Sequence, residues 1–178
     1  SRGLGDVYKR QIYGDHQRYI DTYFSAYPGY YFTGDGADRD VEGNYRITGR
    51  VDDVIIVSGH NLGTAPIEDA INEHNAIAES AIIGIPHDIK GNALCAFIVC
   101  SGEEVTLSEV NALISSKVGP IAKLDVLYMV KGLPKTRSGK IMRRILRKVG
   151  QGQFTNLGDI STLLNPDVVD SIIETVRG

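Results

Sequence analysis

The sequence predicts a small α+β domain over roughly residues 54–149. Three observations carry this expectation. β-rich runs and amphipathic helical stretches both occur, they do not follow a strict β-α-β alternation, and the helices have legible start and stop signals. The chain has 178 residues, enough for one ordinary domain plus extra segments, and 42% hydrophobic with 23% charged residues is a soluble globular composition.

The elements follow in order. Ser1 to Gln11 lack the apolar central run of a signal peptide and resemble nothing downstream; residues 1–11 read as a cloning remnant. Tyr19 to Arg50 read as strands and turns. Within them the β-rich Tyr30-Tyr31-Phe32-Thr33 ends at Gly34-Asp35-Gly36, Val41 to Asn44 is a turn, and Tyr45-Arg46-Ile47-Thr48 alternates as a half-buried strand does. Val54 to Val57 reads as a strand stopped by Ser58-Gly59-His60. A helix is expected next, with Pro66 in its first turn and Ile67, Ala70, Ile71 and His74 at helical spacing. Ala78 to Ile85 and Ala93 to Val99 are β-rich runs joined by the polar Pro86 to Gly91. Thr106 and Glu109 form a capping box that opens a second helix, which Gly119-Pro120 stops. Val126 to Val130 is a short strand. A last helix is expected from about Ser138 to Val149, with Ile141, Met142, Ile145, Leu146 and Val149 on one face and Arg143, Arg144, Arg147 and Lys148 on the other. The tail reads as looser until Val168 to Val176, which has the pattern of a short amphipathic helix.

Charge is distributed unevenly. Seven basic residues and no acidic one lie between Lys135 and Lys148, which leaves 12 basic against 22 acidic residues elsewhere, a net of −10. A concentrated positive field therefore sits on an acidic body. A nucleic-acid-binding module using this basic helix is an alternative reading. The acidic remainder and the lack of aromatics among the basic residues argue against it. No stretch approaches the roughly 18 uninterrupted apolar residues of a membrane span. Cys95 and Cys100, five apart on one strand, point to opposite faces and cannot easily pair; two thiols suit the cytoplasm.

Several segments could carry chemistry. Leu133 to Lys140 reads as a loop feeding a helix, with Lys140 in the first helical turn. There it is either the end of a solvated basic helix or one half of an anion site completed by free helix N–H groups. It is not a P-loop, because Gly132 and Gly139 are separated by six residues and Ile141 stands where the metal-binding hydroxyl belongs. Asp35 between two glycines is either a turn residue or a carboxylate placed to accept two ribose hydroxyls. Arg50 in Gly49-Arg50-Val51-Asp52-Asp53 is a phosphate ligand or part of a charged linker. Ser58 to Gly63 is a glycine-flanked polar loop, and His60 alone is a loop histidine. Residues and spacing reach an anion-binding loop on a small α+β domain and stop there.

Three segments in order extend the reading: Tyr31-Phe32-Thr33-Gly34-Asp35, Tyr45 to Asp53, and Pro134 to Lys140. They resemble the C-terminal signatures of the adenylate-forming superfamily. Ser58-Gly59-His60, Gly84 to Gly91, Gly119 to Lys123, Ile141 to Lys148 and Leu157-Gly158-Asp159 are similar to the AMP-forming acetyl-CoA synthetases within it. The resemblance runs from about Ile12 to the C-terminus. It implies joining of acetate, ATP and CoA, with Mg2+, through acetyl-AMP, and a small C-terminal domain that rotates between the two half-reactions. It also implies this architecture: residues 12–51 as the last β-strands of a large N-terminal AMP-binding domain, 52–150 as the mobile domain, a short mixed sheet with three helices, and 151–178 as a tail.

By the same resemblance Asp35 binds the ribose, Arg50 the ribose and phosphate region, and Asp52 is the hinge. Lys140 stabilises the charge of adenylation. Ser58, Gly59 and His60 line the CoA tunnel, and Asn72, His74 and Ile77 hold a structural cation through backbone carbonyls. Three positions depart from the family. Asn61 stands where an arginine approaches the nucleotide phosphates. Ser115 and Ser116 stand where a basic residue helps hold the 3′-phosphate of CoA. Pro66 replaces an acidic residue at a helix start. The phosphate loop and acetate pocket of the family lie upstream of Ile12, in the missing N-terminal domain, so the chain alone is expected to be inactive. Further expectations are a lysine acetyltransferase and deacetylase acting on Lys140, and no nucleic-acid or membrane partner. A propionyl-CoA or longer acyl-CoA synthetase is the alternative, since the acyl pocket lies upstream.

Overall fold

The computed structural model describes residues 12–178; the cloning-remnant reading of residues 1–11 lies outside them. The chain forms two compact units that divide between Asp52 and Asp53. In the first unit, α1 (His16–Tyr23) precedes an antiparallel pair, β1 (Asp35–Arg39) and β2 (Tyr45–Arg50). The helix was not expected. Asp15 caps it by accepting from the Arg18 N–H, and Tyr19 and Tyr23, four apart, bring their rings to 5.6 Å. The expected strand at Tyr30 to Thr33 does not form. Those residues have no ladder partner, and Tyr31 instead stacks on Tyr23 at 4.9 Å.

The second unit is built on a three-stranded sheet of β5 (Ile77–His87), β6 (Gly91–Cys100) and β7 (Val126–Met129), in the order β5-β6-β7. β5 and β6 pair antiparallel out to His87 opposite Gly91, so half of the segment read as a polar connection is ladder and only Asp88, Ile89 and Lys90 turn. β6 and β7 pair in parallel, and the connection between them carries α3 (Leu107–Lys117). Ahead of the sheet lie a small hairpin, β3 (Ile55–Val57) with β4 (His60–Leu62), and α2 (Thr64–Asn72). After it come α4 (Arg143–Gly150) and α5 (Val168–Arg177).

Both faces of the sheet are covered, which is why its strands read as continuous apolar runs. Ile82, Leu94, Ala96 and Ile98 face a first core with Ile67, Ile71, Val110 and Ile114 of α2 and α3. Ala81, Ile83, Cys95 and Phe97 face a second core with Ile145, Leu146 and Val149 of α4. Cys95 and Cys100 are both free, and Cys100 packs against the opposite core from Cys95.

The tail differs from the sequence reading. Leu157, Leu163, Val169 and Ile172 are buried in the second core, so residues 151–178 complete it rather than trail from it. The start of the last helix also differs. Residues 138–142 are not helical, and α4 begins at Arg143. Gly139 turns the chain at a φ of 82°, and an isolated bridge between Lys135 and Ile141 closes the turn. Lys140 is therefore not in a helical turn, and the idea that free helix N–H groups join it at an anion fails.

Candidate functional site

The Lys140 turn is held at its base and open at its tip. The Thr136 N–H donates to the Lys140 carbonyl at 2.8 Å, and the Lys140 N–H donates to Thr136 Oγ1 at 3.1 Å. Met142 N–H donates to the Pro134 carbonyl at 2.8 Å. The tail braces the same base. Asn165 Oδ1 accepts from the Lys135 N–H at 3.1 Å, its Nδ2 donates to the Leu133 carbonyl at 2.9 Å, and Leu164 N–H donates to the Lys135 carbonyl at 2.8 Å. Lys135 itself pairs with Glu79 of β5. Lys140 is exposed, and its ammonium makes no hydrogen bond or ion pair among the described residues. A rigid base with an uncompensated cation at the tip can present charge to an incoming anion.

Asp35, Arg50 and Asp52 come together in the first unit. Asp35 opens β1 directly opposite Arg50 in the ladder, with its carboxylate 3.7 Å from the guanidinium. Arg50 Nε donates to Asp52 Oδ1 at 2.9 Å. Gly34 makes room for this: a Cβ there would lie 3.0 Å from Arg50 Nη2, and its φ is 77°. One guanidinium thus lies between the predicted ribose carboxylate and the predicted hinge carboxylate.

Ser58 and Gly59 form the two-residue turn of the β3–β4 hairpin, at φ values of 50° and 82°. Two successive residues with positive φ give the turn whose twist matches the flanking strands. The sequence reading saw a loop here; β4 was missed because its three residues alternate only once. His60 Nδ1 lies 3.2 Å from the Ser58 carbonyl. A carbonyl only accepts, so Nδ1 carries a proton in this contact. Asn61 is exposed opposite Ile56.

Ser115 lies on α3, where its hydroxyl donates to the Asn111 carbonyl at 2.6 Å. It lines a shallow depression with Ser108, Asn111, Ala112 and Lys123. Lys123 supplies a cation there that the sequence reading did not single out. Asn72, His74 and Ile77 follow one another from the end of α2 into β5. The His74 carbonyl accepts from the Ile77 N–H at 2.9 Å, and His74 Nδ1 accepts from the Ala76 N–H at 3.2 Å. Backbone carbonyls at the negative end of a helix are an oxygen donor set that fits a hard cation. Among the described residues no group of three or more His, Cys, Asp and Glu side chains could hold a metal ion.

A buried charge cluster escaped the sequence reading. Arg143 Nη2 donates to both carboxylate oxygens of Glu68, at 2.8 and 2.6 Å. Arg143 Nη1 lies 3.8 Å from Asp53, and Arg147 Nη2 donates to Asp53 at 3.4 Å. Glu68 Oε1 also accepts from the Ile82 N–H at 2.8 Å, which satisfies a backbone donor on the open edge of β5. Burial works against the charge on Arg143, but the hydrogen bonds and charge of Glu68, with the charge of Asp53, outweigh it and hold the guanidinium above its ordinary pKa. The one available signal was Glu68 itself, an acidic residue on the helix face marked by Ile67 and Ile71. Elsewhere on α4, Arg144 donates to the Asp159 carbonyl at 3.4 Å and Lys148 to the Asn156 carbonyl at 2.6 Å. The four basic residues of this helix are thus engaged within the fold, and the nucleic-acid reading is not favoured.

Comparison with known proteins agrees with this geometry. Residues 66–140 match the family model described as AMP-binding enzyme C-terminal domain. The chain is 56% identical over 172 residues to an acetyl-coenzyme A synthetase of Psychrobacter cryohalolentis, covering 94% of this chain and 26% of that protein. It is 57% identical over 169 residues to one of Alkalilimnicola ehrlichii, covering 93% and 26%. The chain therefore spans about a quarter of the length of the curated relatives it matches. Among solved structures, acetoacetyl-CoA synthetase from Streptomyces lividans superposes with a TM-score of 0.76 at 27% identity, covering 92% of this chain and 25% of that one. The amide bond synthetase McbA from Marinactinospora thermotolerans superposes at 0.69 with 26% identity, covering 77% and 28%. An exposed lysine on a braced turn thus closes the segment, residues 66–140, that matches the AMP-binding enzyme C-terminal domain, and the chain as a whole is similar to the C-terminal quarter of acetyl-coenzyme A synthetases.

Proposed function

We propose that this chain is the C-terminal part of an AMP-forming acetate–CoA ligase and supplies its adenylation lysine. The observation that carries the reading is Lys140: a cation with no partner among the described residues, on a turn fixed from both sides, in a chain more than half identical to acetyl-coenzyme A synthetases. In the first half-reaction the acetate carboxylate attacks the α-phosphate of ATP, giving acetyl-AMP and releasing pyrophosphate. Lys140 offsets the negative charge that builds on the carboxylate and phosphate oxygens. Asp35 accepts from the ribose hydroxyls, and Arg50 turns from the carboxylates beside it toward the phosphates. In the second half-reaction the CoA thiolate attacks the acetyl carbonyl and AMP departs, with Ser58, Gly59 and His60 lining the path of the thiol.

The acetate pocket and most of the nucleotide pocket belong, in this reading, to an N-terminal domain that partners this one. Asp52 is the hinge between them. Lys123 takes the place of the basic residue absent at Ser115 and Ser116 in holding the 3′-phosphate of CoA, and Asn61 supplies no charge to the nucleotide. Carbonyls of Asn72, His74 and Ile77 hold a structural cation. Mg2+ would accompany the phosphates of ATP, carried by the nucleotide. The two free cysteines support a cytoplasmic setting, and the exposure of Lys140 suits a lysine acetyltransferase and deacetylase.

The test is Lys140→Ala in the full-length enzyme. Pyrophosphate exchange should fall by on the order of 10² to 10³. Acetyl-CoA formation from supplied acetyl-AMP should persist. Surviving exchange, or an equal loss of both half-reactions, would remove the role from Lys140.

A further inference from the structure

We infer that Arg143, gripped by Glu68 and Asp53, is a positioning residue that locks the connector after Asp52 to the turn carrying Lys140. The inference rests on the reading that Lys140 serves adenylation. Asp53 is the first residue of the second unit, and it closes the single helical turn Val51–Asp53. Arg143 opens α4 immediately after the Lys140 turn. The two are 90 positions apart in sequence, yet their side chains form an ion pair, and Arg147 one turn later on α4 grips the same carboxylate. Glu68 holds the other side of the guanidinium and is itself fixed to β5 through the Ile82 N–H.

The cluster is a poor device for stability alone. Its side chains keep only 23% (Arg143), 17% (Asp53) and 11% (Glu68) of their exposure, and Arg143 Nε is buried with no hydrogen-bond partner. Buried ion pairs seldom stabilise more than apolar residues of the same volume would. What they provide is geometry: a forked guanidinium accepts only a narrow set of carboxylate positions. Arg143, a cation at the first position of α4, is also unfavourably placed for the helix dipole unless carboxylates compensate. Here the compensating carboxylates come from the connector and from α2. The connector therefore cannot shift against α4 without breaking these pairs, so Asp52 and the residues before it must take up any rotation. Lys140 then moves with the connector as one body.

Asp53→Asn tests this by removing the charge and keeping the shape. In this chain, amide hydrogen exchange at Thr136, Gly139 and Met142 should quicken about tenfold or more as the turn loosens, while the amides of α3 should not change. Exchange confined to residues 52–55, or a uniform rise across α3 as well, would overturn the inference. Arg147→Gln, an outer and more exposed partner, should give the same pattern in weaker form. In the full-length enzyme, Asp53→Asn should slow pyrophosphate exchange by about ten- to a hundredfold and leave the thioester step from acetyl-AMP within about twofold. Lys140→Ala is measured beside it. If that variant loses exchange and Asp53→Asn does not, the lock is refuted and the lysine assignment stands. If Lys140→Ala keeps exchange, the lysine assignment falls, and the hydrogen-exchange pattern alone decides the lock.

Discussion

α3 and α4 pack on opposite faces of one sheet and begin in opposite ways. α3 starts at a capping box: Thr106 Oγ1 accepts from the Glu109 N–H, and the Glu109 carboxylate accepts from the Thr106 N–H at 2.8 Å. Every group involved lies within four residues. α4 starts at Met142, which offers no side-chain cap, and its first residue reaches Glu68, 75 positions away. The start of α3 would be the same in many folds. The start of α4 exists only because β5, α2, the connector and the tail are already in place. The catalytic candidate sits on the turn that leads into the second kind of helix.

The largest effect should come from removing the remote support. Ending the chain after Gly150 takes Leu157, Leu163, Val169 and Ile172 out of the second core. At roughly 1.5–3 kcal/mol for each fully buried side chain, the loss approaches the whole stability of a small domain. The truncated chain should show no cooperative urea transition. A transition with an unchanged midpoint would mean that α4 does not need the tail.

Glu68→Ala should come next, at about 2 kcal/mol, below the figure for a fully buried pair because Arg143 keeps some exposure to water. Urea denaturation measures it, and Glu68→Gln should recover part of the loss by keeping a partner for Ile82. Thr106→Ala, which strikes the local cap, should cost about 1 kcal/mol. If the order of these two were reversed, the contrast between the helices would collapse.

Acid should separate the two ends as well. Hydrogen bonds from the Thr106 side chain and backbone lower the Glu109 pKa below its ordinary 4.5. Because the folded value is the depressed one, the stabilisation is present above the unfolded value and is lost as pH falls through the folded value. The Glu109→Gln variant should therefore be less stable than the parent at neutral pH and converge with it in strong acid, followed by thermal melting. Convergence at higher pH instead would refute the sign.

Two thiols report on the cores with the least disturbance. Burial pushes Cys95 up to about 12, and burial with the nearby Glu104 raises Cys100 less. At neutral pH a thiol reagent should label Cys100 slowly and Cys95 only when the second core opens. Equal labelling of both would show that the second core is already loose. Lys140→Ala should leave the midpoint within a few tenths of a kcal/mol, since an exposed, unpaired side chain contributes little.

Much of the fold was legible because its signals are local. The capping box, the stop at Gly119-Pro120, the paired apolar runs of β5 and β6, and the amphipathic pattern of α5 each depend on neighbours a few residues away. The family resemblance was legible for the same reason, in short segments such as Pro134 to Lys140. The misreadings share the opposite cause. Ile141 and Met142 fit a helical face, so periodicity extended α4 backward across Gly139, but the Lys135–Ile141 bridge and Asn165 hold those residues in a turn. Nothing local marks Asp53, Glu68 and Arg143 as partners, because an ion pair has no sequence period. The sequence alone determined which residues carry charge, where the chain must turn and which faces are apolar. Only the tertiary structure decided which charges neutralise one another and which, like that of Lys140, find no partner among the described residues, because that depends on distances set by packing segments far apart in the chain.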